Sequence, residues 1–256
     1  MARATEDGSA AIVCEDIVID RIGHSAPTRA IDGVSFSLPA GELMCISGAT
    51  GSGKSTLVSA LAGATDPSIR VVGGSATVCG VSVRHPGRRL RELTYRVGFL
   101  PQSAGAGLTP QLTVQEIIAE PILQRERRVN VKALAIRVAT LLDELHLPLG
   151  LASSFPYELS AGMRQRVAIA RSFVLEPRVL IADEPLANLD LEVRHVVFDA
   201  ITRRRRDQGM AALLVSNDAA FARELGAETL MIREGHVVAR GSGADLLWTP
   251  GAQPAG

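Results

Sequence analysis

The chain has 256 residues, of which 46% are hydrophobic and 21% are charged, an ordinary composition for a globular protein with a sizeable core. Lysine plus arginine equals aspartate plus glutamate, at 27 each. This balance gives the protein no overall field that would attract nucleic acid or acidic lipid. The basic run at 203–206 is the exception, and we interpret it as the solvated end of a helix.

The cysteines Cys14, Cys45 and Cys79 are far apart and lack C-x-x-C spacing. This pattern argues against a disulfide framework and a zinc site, and it favours a reducing compartment. The first 20 residues are acidic and lack the basic start and apolar middle of a secretion signal. No stretch approaches the ~18 to 20 apolar residues of a membrane span, so at a membrane other chains would have to supply the span.

Strands and one helix are predicted in the first half of the chain. Alternating or continuous apolar runs bounded by turn residues predict strands at 11–19, 34–38, 43–47, 71–83 and 95–100, and a helix at 54–62. The second half predicts helical structure over 112–150, a helix at 164–175, and buried strands at 179–183 and 211–216.

Strands that alternate with helices around a glycine-rich loop predict an α/β fold with a mostly parallel sheet covered by helices. The helical block at about 103–160 interrupts the alternation and is predicted to be an inserted subdomain. We expect the folded domain to span 11–248, with loose tails at 1–10 and 249–256, where small residues and proline are concentrated.

The stretch SGATGSGKSTL at 47–57 follows a predicted buried strand and satisfies the pattern G-x-x-x-x-G-K-[ST]. Its glycines allow backbone N–H groups to turn inward, and the following helix adds its positive N-terminal end. The predicted phosphate loop consists of Gly48, Ala49, Thr50, Gly51, Ser52, Gly53, Lys54, Ser55 and Thr56. Lys54 would reach the outer phosphates, and the Ser55 hydroxyl would bind Mg²⁺. The alternative is a glycine-rich turn that binds nothing.

Four apolar residues lead into Asp183 and Glu184 in the segment RVLIADEP. A buried strand that ends beside a phosphate loop would place Asp183 where a carboxylate holds Mg²⁺, directly or through water. Glu184 would then be placed to polarise an attacking water. Taken alone, the pair could equally be a strand-end cap.

The segment LSAGMRQRV at 159–167 lies between these two motifs and resembles the signature LSGGQ-x-QRV of the ATPase subunits of ABC transporters. Here the signature reads Ser160, Ala161, Gly162 and Met163 after Leu159. A helix N-terminus can bind the outermost phosphate of an ATP that another subunit holds. The resemblance implies two such chains that enclose two ATP molecules head to tail, and an antiparallel β part at the N-terminus.

Further motifs follow the order of that family, so the resemblance runs from about 11 to about 248. Gln102 matches the glutamine that contacts Mg²⁺ or water, and Asp190 matches an aspartate that communicates across the dimer. Asn217 stands where the family has a switch histidine, and Arg21 stands about where many relatives stack an aromatic ring on adenine. The segments REGHVVARG and ADLL resemble the family's closing hairpin and helix.

Several of these residues depart from the family pattern. Asn217 forms hydrogen bonds but cannot become cationic, so we expect slower hydrolysis at this chain's own site. Ala161 adds a Cβ where the signature has glycine, and Met163 removes an amide. At Arg21 a guanidinium replaces the ring and can also stack on a base. These changes predict an asymmetric dimer with a different ATPase subunit, and neutral drift is the alternative.

The stretches LTPQLTVQEIIAEPIL and PYELSAGMRQRVAIARSFVLEPRVLIADEP resemble the peptide and nickel importer branch of the family. The resemblance implies an ATP-hydrolysing motor at the cytoplasmic face of the cell membrane, with permease chains and, through them, a solute-binding protein as partners. The short end at PGAQPAG is more similar to the nickel or metallophore members, or to truncated relatives. The alternatives are an exporter, the soluble ABC ATPase of a carbon–phosphorus lyase, and an ATP-gated assembly module; neutral charge disfavours a DNA-repair ATPase.

Overall fold

The computed structural model describes residues 10–23, 26–126, 128–187, 189–242 and 245–248. The strands are β1 (Ala10–Arg21), β2 (Thr28–Pro39), β3 (Leu43–Ser47), β4 (Ile69–Val78), β5 (Val81–Ser82), β6 (Val97–Leu100), β7 (Val179–Asp183), β8 (Ala211–Val215), β9 (Glu228–Arg233), β10 (His236–Ser242) and β11 (Asp245–Trp248). The α-helices are α1 (Lys54–Leu61), α2 (Leu90–Arg96), α3 (Val114–Leu123), α4 (Val131–Glu144), α5 (Ala161–Phe173), α6 (Leu191–Gln208) and α7 (Ala219–Glu224).

The larger sheet has the strand order β11-β10-β9-β3-β8-β7-β6, in which β9, β3, β8, β7 and β6 are parallel. Strands β7 and β8 are buried at every position because helices or the second sheet cover both faces. The second sheet is antiparallel, with the order β2-β1-β4-β5. The predicted α/β class, with its parallel sheet and antiparallel part, is confirmed.

Two apolar clusters lie on opposite faces of the larger sheet, because successive side chains of a strand point to opposite faces. Met44 and Ile46 of β3 pack with α1 and the antiparallel sheet. Cys45, between them, packs with α3, α4, α5 and α6. Burial raises the pKa of the Cys45 thiol to about 12, so this cysteine is a core residue with an inert thiol.

The segment predicted as a helical subdomain contains α3, α4 and short 3₁₀ turns at Leu149–Ser153 and Pro156–Glu158. Helix α3 begins with a capping box, in which the backbone N–H of Thr113 donates to the Glu116 carboxylate at 2.8 Å. Helix α4 is capped by the side chain of Asn130. None of the helices within the described ranges is long and apolar enough to cross a membrane.

Several local predictions were wrong. The strand predicted at 71–83 is two strands, β4 and β5, with a turn between them, and the first two residues of the strand predicted at 95–100 belong to α2. The segment ADLL does not begin a closing helix, because Asp245–Trp248 pairs antiparallel with β10 as an edge strand. Residues 203–206 are not uniformly solvated: Arg204 is buried, forms an ion pair with Glu144 and places its guanidinium 4.2 Å from the ring centre of Phe173. The predicted tail at 249–256 lies outside the described residues, as does 1–9, and Ala10 belongs to β1.

Candidate functional site

The predicted functional residues of four parallel strands emerge at one edge of the larger sheet. The register aligns Ile46 of β3 and Asp183 of β7 with the same residue of β8, Val215. Since β8 lies between β3 and β7, the segment that follows β8, which contains Asn217, must lie between the glycine-rich loop and the Asp183–Glu184 pair. Parallel sheets bind ligands at this carboxyl edge.

The glycine-rich loop has a backbone that only glycine adopts without strain. Gly48, Gly51 and Gly53 have φ of 143°, 82° and 99°. A Cβ on Gly48 would lie 2.0 Å from the Ile232 carbonyl oxygen, and a Cβ on Gly53 would lie 2.1 Å from the Ala30 carbonyl oxygen. The concave backbone therefore depends on the absence of side chains, as a phosphate cradle requires.

The ammonium group of Lys54 lies inside this loop. Its Nζ donates hydrogen bonds of 2.7 Å to the carbonyl oxygens of Gly48 and Ala49, and Ser52 Oγ is 3.3 Å away. Burial lowers the pKa of Lys54, and the charges of Asp183 and Glu184 oppose that shift. The loop thus holds a poorly solvated cation that an anion would stabilise.

The carboxylate of Asp183 is 3% exposed at the end of β7. Burial raises its pKa; the hydrogen bond from Ser55 and the charge of Lys54 oppose this shift, and the charge of Glu184 adds to it. No salt bridge to Asp183 is formed within the described residues. A buried carboxylate beside a hydroxyl group suits a hard divalent cation such as Mg²⁺, so the donor set fits the predicted metal.

Glu184 has a φ of 51°, which is unusual for a residue with a Cβ. Its backbone N–H donates to the Val215 carbonyl oxygen at 3.0 Å, and this bond fixes the residue against β8. Glu184 is half-buried directly after Asp183. Strained backbone of this kind is concentrated at functional sites, and here it holds a partly solvated carboxylate at the sheet edge.

Asn217 occupies the position that the strand order requires. Its Oδ1 accepts a hydrogen bond of 3.1 Å from the backbone N–H of Gly48, which is 169 residues away in the chain. The side chain in place of the family's histidine therefore contacts the predicted phosphate loop directly. Gln102 is exposed just after β6, where Leu100 is aligned with Ala182, so it emerges from the same edge as Asp183.

Two residues that the sequence analysis did not identify connect this edge to the segment before α6. Arg194 Nε donates to the Leu189 carbonyl oxygen at 3.2 Å, and its Nη1 lies 2.9 Å from Asp218 Oδ2. Asp218 directly follows Asn217 and caps α7. Asp190 is exposed at the N-cap of α6, and its carbonyl oxygen accepts from the N–H of Arg194. The only sequence signal for this link is the pairing of opposite charges.

The remaining predicted residues lie at other places. Ser160 is the N-cap of α5, where its Oγ accepts from the N–H of Met163 at 3.2 Å, and no hydrogen bond of a described residue joins it to the phosphate loop. Ala161 and Gly162 form the first turn of α5, and Met163 packs against the core. Ala49 and Thr50 are exposed, Thr56 is buried in α1, and Arg21 is exposed at the end of β1.

Replacing Gly48 with alanine is expected to weaken nucleotide binding at least tenfold relative to Gly51→Ala. Both positions have a positive φ, but the Cβ of the first would collide with the Ile232 carbonyl oxygen, whereas the Cβ of the second meets nothing within 4 Å. Titration with a fluorescent ATP analogue measures the difference. Equal affinities in the two variants would show that the loop does not depend on this close approach.

Comparisons with known proteins agree with this arrangement. The family described as "ABC transporter" matches residues 31–187. The "Oligopeptide transport ATP-binding protein OppF" of Lactococcus lactis is 31% identical, over 86% of this chain and 68% of that protein. The "Peptidoglycan transport ATP-binding protein YejF" of Agrobacterium fabrum is 33% identical over 87% of this chain. The chain spans only 40% of that protein, and 66% of OppF of Salmonella typhimurium, to which it is 29% identical.

Solved structures share the fold. A dimeric structure of the ATP-binding cassette MJ0796 bound to ADP and Pi superposes with a TM-score of 0.83, at 23% identity, and the match covers 91% of this chain and 99% of that chain. The cbiO1 structure from Clostridium perfringens gives a TM-score of 0.75 at 22% identity, over 91% of this chain and 89% of that chain. The family match to more than half of the chain, together with the OppF relative, shows that this protein belongs to the ABC transporter family.

Proposed function

We propose that this chain is the ATP-hydrolysing motor subunit of a membrane transporter that imports peptides or a related small solute. The observation that carries the proposal is the convergence of the glycine loop, the buried Asp183, Glu184 and Asn217 at one sheet edge. The names of the relatives, which refer to oligopeptide and peptidoglycan transport, support the substrate class. Transport of nickel or a metallophore is the alternative within the same importer branch of the family.

The residues at this edge have distinct roles in the proposed reaction. The N–H groups of the loop and the ammonium of Lys54 hold phosphate oxygens, and Ser55, Gln102 and Asp183 supply oxygen ligands for Mg²⁺. A Mg²⁺ ion held by these residues would neutralise negative charge on the phosphate oxygens. Glu184 orients a water and accepts its proton. Because Asn217 accepts a hydrogen bond from the Gly48 N–H, it positions the loop that would hold the phosphate.

The signature at Ser160 would complete the site of a second ATPase chain, since no hydrogen bond of a described residue joins it to its own phosphate loop. The dimeric structures of MJ0796 support assembly in pairs. We propose that the partner is a different chain with a histidine switch and a full signature, because Asn217, Ala161 and Met163 depart from the family pattern. Permease chains, with a solute-binding protein above them, would place the pair at the cytoplasmic face of the membrane.

Purification of the tagged chain from its host in mild detergent, with every co-purifying chain identified by mass, tests this proposal. Recovery of a permease and a second, distinct ATPase supports the asymmetric motor. Recovery of the chain only with itself would contradict the asymmetric pairing. ATP hydrolysis that stays at the background rate in the recovered assembly would contradict the motor function.

Asn217→His is expected to increase ATP hydrolysis several-fold in the assembled complex. In a neutral imidazole one nitrogen can accept the Gly48 N–H bond that Asn217 now accepts while the other donates to phosphate, and protonation would replace that accepted bond with a positive charge near phosphate. Steady-state hydrolysis of the wild type and the variant at equal ATP saturation measures the effect, with Asn217→Ala as the variant that loses the bond. An unchanged rate in Asn217→His would show that this substitution does not limit turnover.

A further inference from the structure

Gln165 is a buried polar side chain to which the sequence analysis assigned no role. It lies on α5, five residues after Ser160, and is 2% exposed. Its neighbours Arg164 and Arg166 donate to carbonyl oxygens of nearby segments, at Leu159 and Leu145 among others. Gln165 instead forms hydrogen bonds with the loops that follow β6 and β7.

The two ends of its amide contact two different loops. The Oε1 atom accepts a hydrogen bond of 3.2 Å from the backbone N–H of Gly105, three residues after Gln102. The Nε2 atom donates a hydrogen bond of 3.1 Å to the carbonyl oxygen of Pro185, the residue after Glu184. The Gln165 side chain therefore connects α5, which carries the signature, to the loop after Gln102 and to the loop after Glu184.

The backbone around this contact is packed too closely to move independently. A Cβ on Gly105 would lie 2.7 Å from the backbone nitrogen of Gln165 and 3.0 Å from the carbonyl carbon of Arg164. The loop after Gln102 thus lies directly on the backbone of α5. A displacement of the helix must displace this loop, because close-packed interiors transmit strain.

The Gln165 amide satisfies both loops at once. The Gly105 N–H requires an acceptor and the Pro185 carbonyl requires a donor, and a neutral glutamine offers both on one planar group. A carboxylate would present an acceptor to the Pro185 carbonyl, and an apolar side chain would leave both buried backbone groups without this partner.

We propose that Gln165 is a positioning residue that couples the signature helix to both Gln102 and Glu184. It holds the two loops at a fixed separation, and it transmits a movement of α5, such as engagement of Ser160 by the partner's nucleotide, to the residues that handle metal and water. This role rests on the proposed ATPase function and extends it to communication between the two sites of a dimer.

The test compares Gln165→Met, which keeps the length and removes both bonds, with Ser172→Ala on the same helix. Ser172 is also buried, but its hydroxyl donates only within α5, to Ile169. The full chain is assayed in its assembled complex for nucleotide affinity and kcat, and amide hydrogen exchange is followed at Gly105 and at 186–187. In Gln165→Met we expect kcat to fall at least tenfold, affinity to change less than threefold and Gly105 exchange to accelerate at least tenfold, while Ser172→Ala changes none of them.

Exchange at Gly105 that stays at the wild-type rate in Gln165→Met would overturn the link, as would an unchanged kcat. Equal losses of affinity, kcat and melting temperature in both variants would also overturn the link, because Gln165 would then contribute only to packing of the core. The exchange measurement needs no turnover. It therefore tests the link even if the wild-type chain hydrolyses no ATP, the outcome that would contradict the proposed function alone.

Discussion

Glu184→Gln is expected to bind ATP with nearly wild-type affinity and to hydrolyse it about 10²- to 10⁴-fold more slowly. Glutamine has the size of glutamate but cannot accept a proton from water. The backbone bond that fixes this position, from the Glu184 N–H to the Val215 carbonyl, does not involve the side chain and survives the substitution. Single-turnover hydrolysis and equilibrium binding of ATP in the assembled complex measure the two quantities separately.

The matched control is Glu192→Gln. It removes an exposed carboxylate from the first turn of α6, shortly after Glu184 in the chain. It changes the net charge of the chain by the same amount and should leave both binding and turnover as they are. A turnover rate in Glu184→Gln close to that of this control would overturn the assigned role. Reduced affinity with normal turnover would instead show that Glu184 contributes to nucleotide binding.

Much of the sheet edge could be predicted from local sequence. Apolar runs ended by functional residues correctly predicted the strands at 43–47 and 179–183, because a fully buried parallel strand has this pattern in its own residues. The glycines of the phosphate loop by themselves indicate the positive backbone φ angles that the structure shows there. The parallel order of the strands then placed Asp183 near Lys54, as their mutual electrostatic effects show.

The contacts between distant segments could not be predicted in the same way. Nothing near Asn217 in the chain indicates that it bonds to Gly48, and nothing near Gln165 indicates that its amide joins Gly105 to Pro185. Such bonds depend on the strand order and on the seating of α5, which are tertiary features. The prediction of a closing helix at ADLL was wrong for a related reason. Four residues carry little helical preference, and pairing with β10 decides the conformation of 245–248.

The basic run at 203–206 shows how tertiary contacts change the meaning of a local charge pattern. Four consecutive arginines on a helix point in different directions, since each residue turns by about 100°. Arg203 and Arg206 are exposed, whereas Arg204 is directed into the space between α6, α4 and α5 and pairs there with Glu144. Burial lowers the pKa of Arg204, and the charge of Glu144 opposes this shift.

Arg204→Met is therefore expected to lower the free energy of unfolding by about 3 to 5 kcal/mol. Both side chains of the pair are shielded from solvent, at 7% exposed for Arg204 and 10% for Glu144. Methionine fills similar space against the Phe173 ring but leaves the Glu144 carboxylate buried without its cation. Urea denaturation of the purified chain measures the loss, and Arg203→Met, an exposed change on the same helix, should stay within about 0.5 kcal/mol of wild type.

The double variant Arg204→Met, Glu144→Leu separates the cost of the unpaired charge from the value of the pair. A buried ion pair replaced by apolar groups of similar volume is often neutral, because the desolvation of two charges offsets their attraction. We thus expect the double variant to recover most of the stability that the single variant loses. A single variant no less stable than Arg203→Met would show that Glu144 reaches solvent without its partner. A double variant no more stable than the single one would show instead that packing of the guanidinium on Phe173 dominates, and that the arginine is held by its stacking more than by its charge.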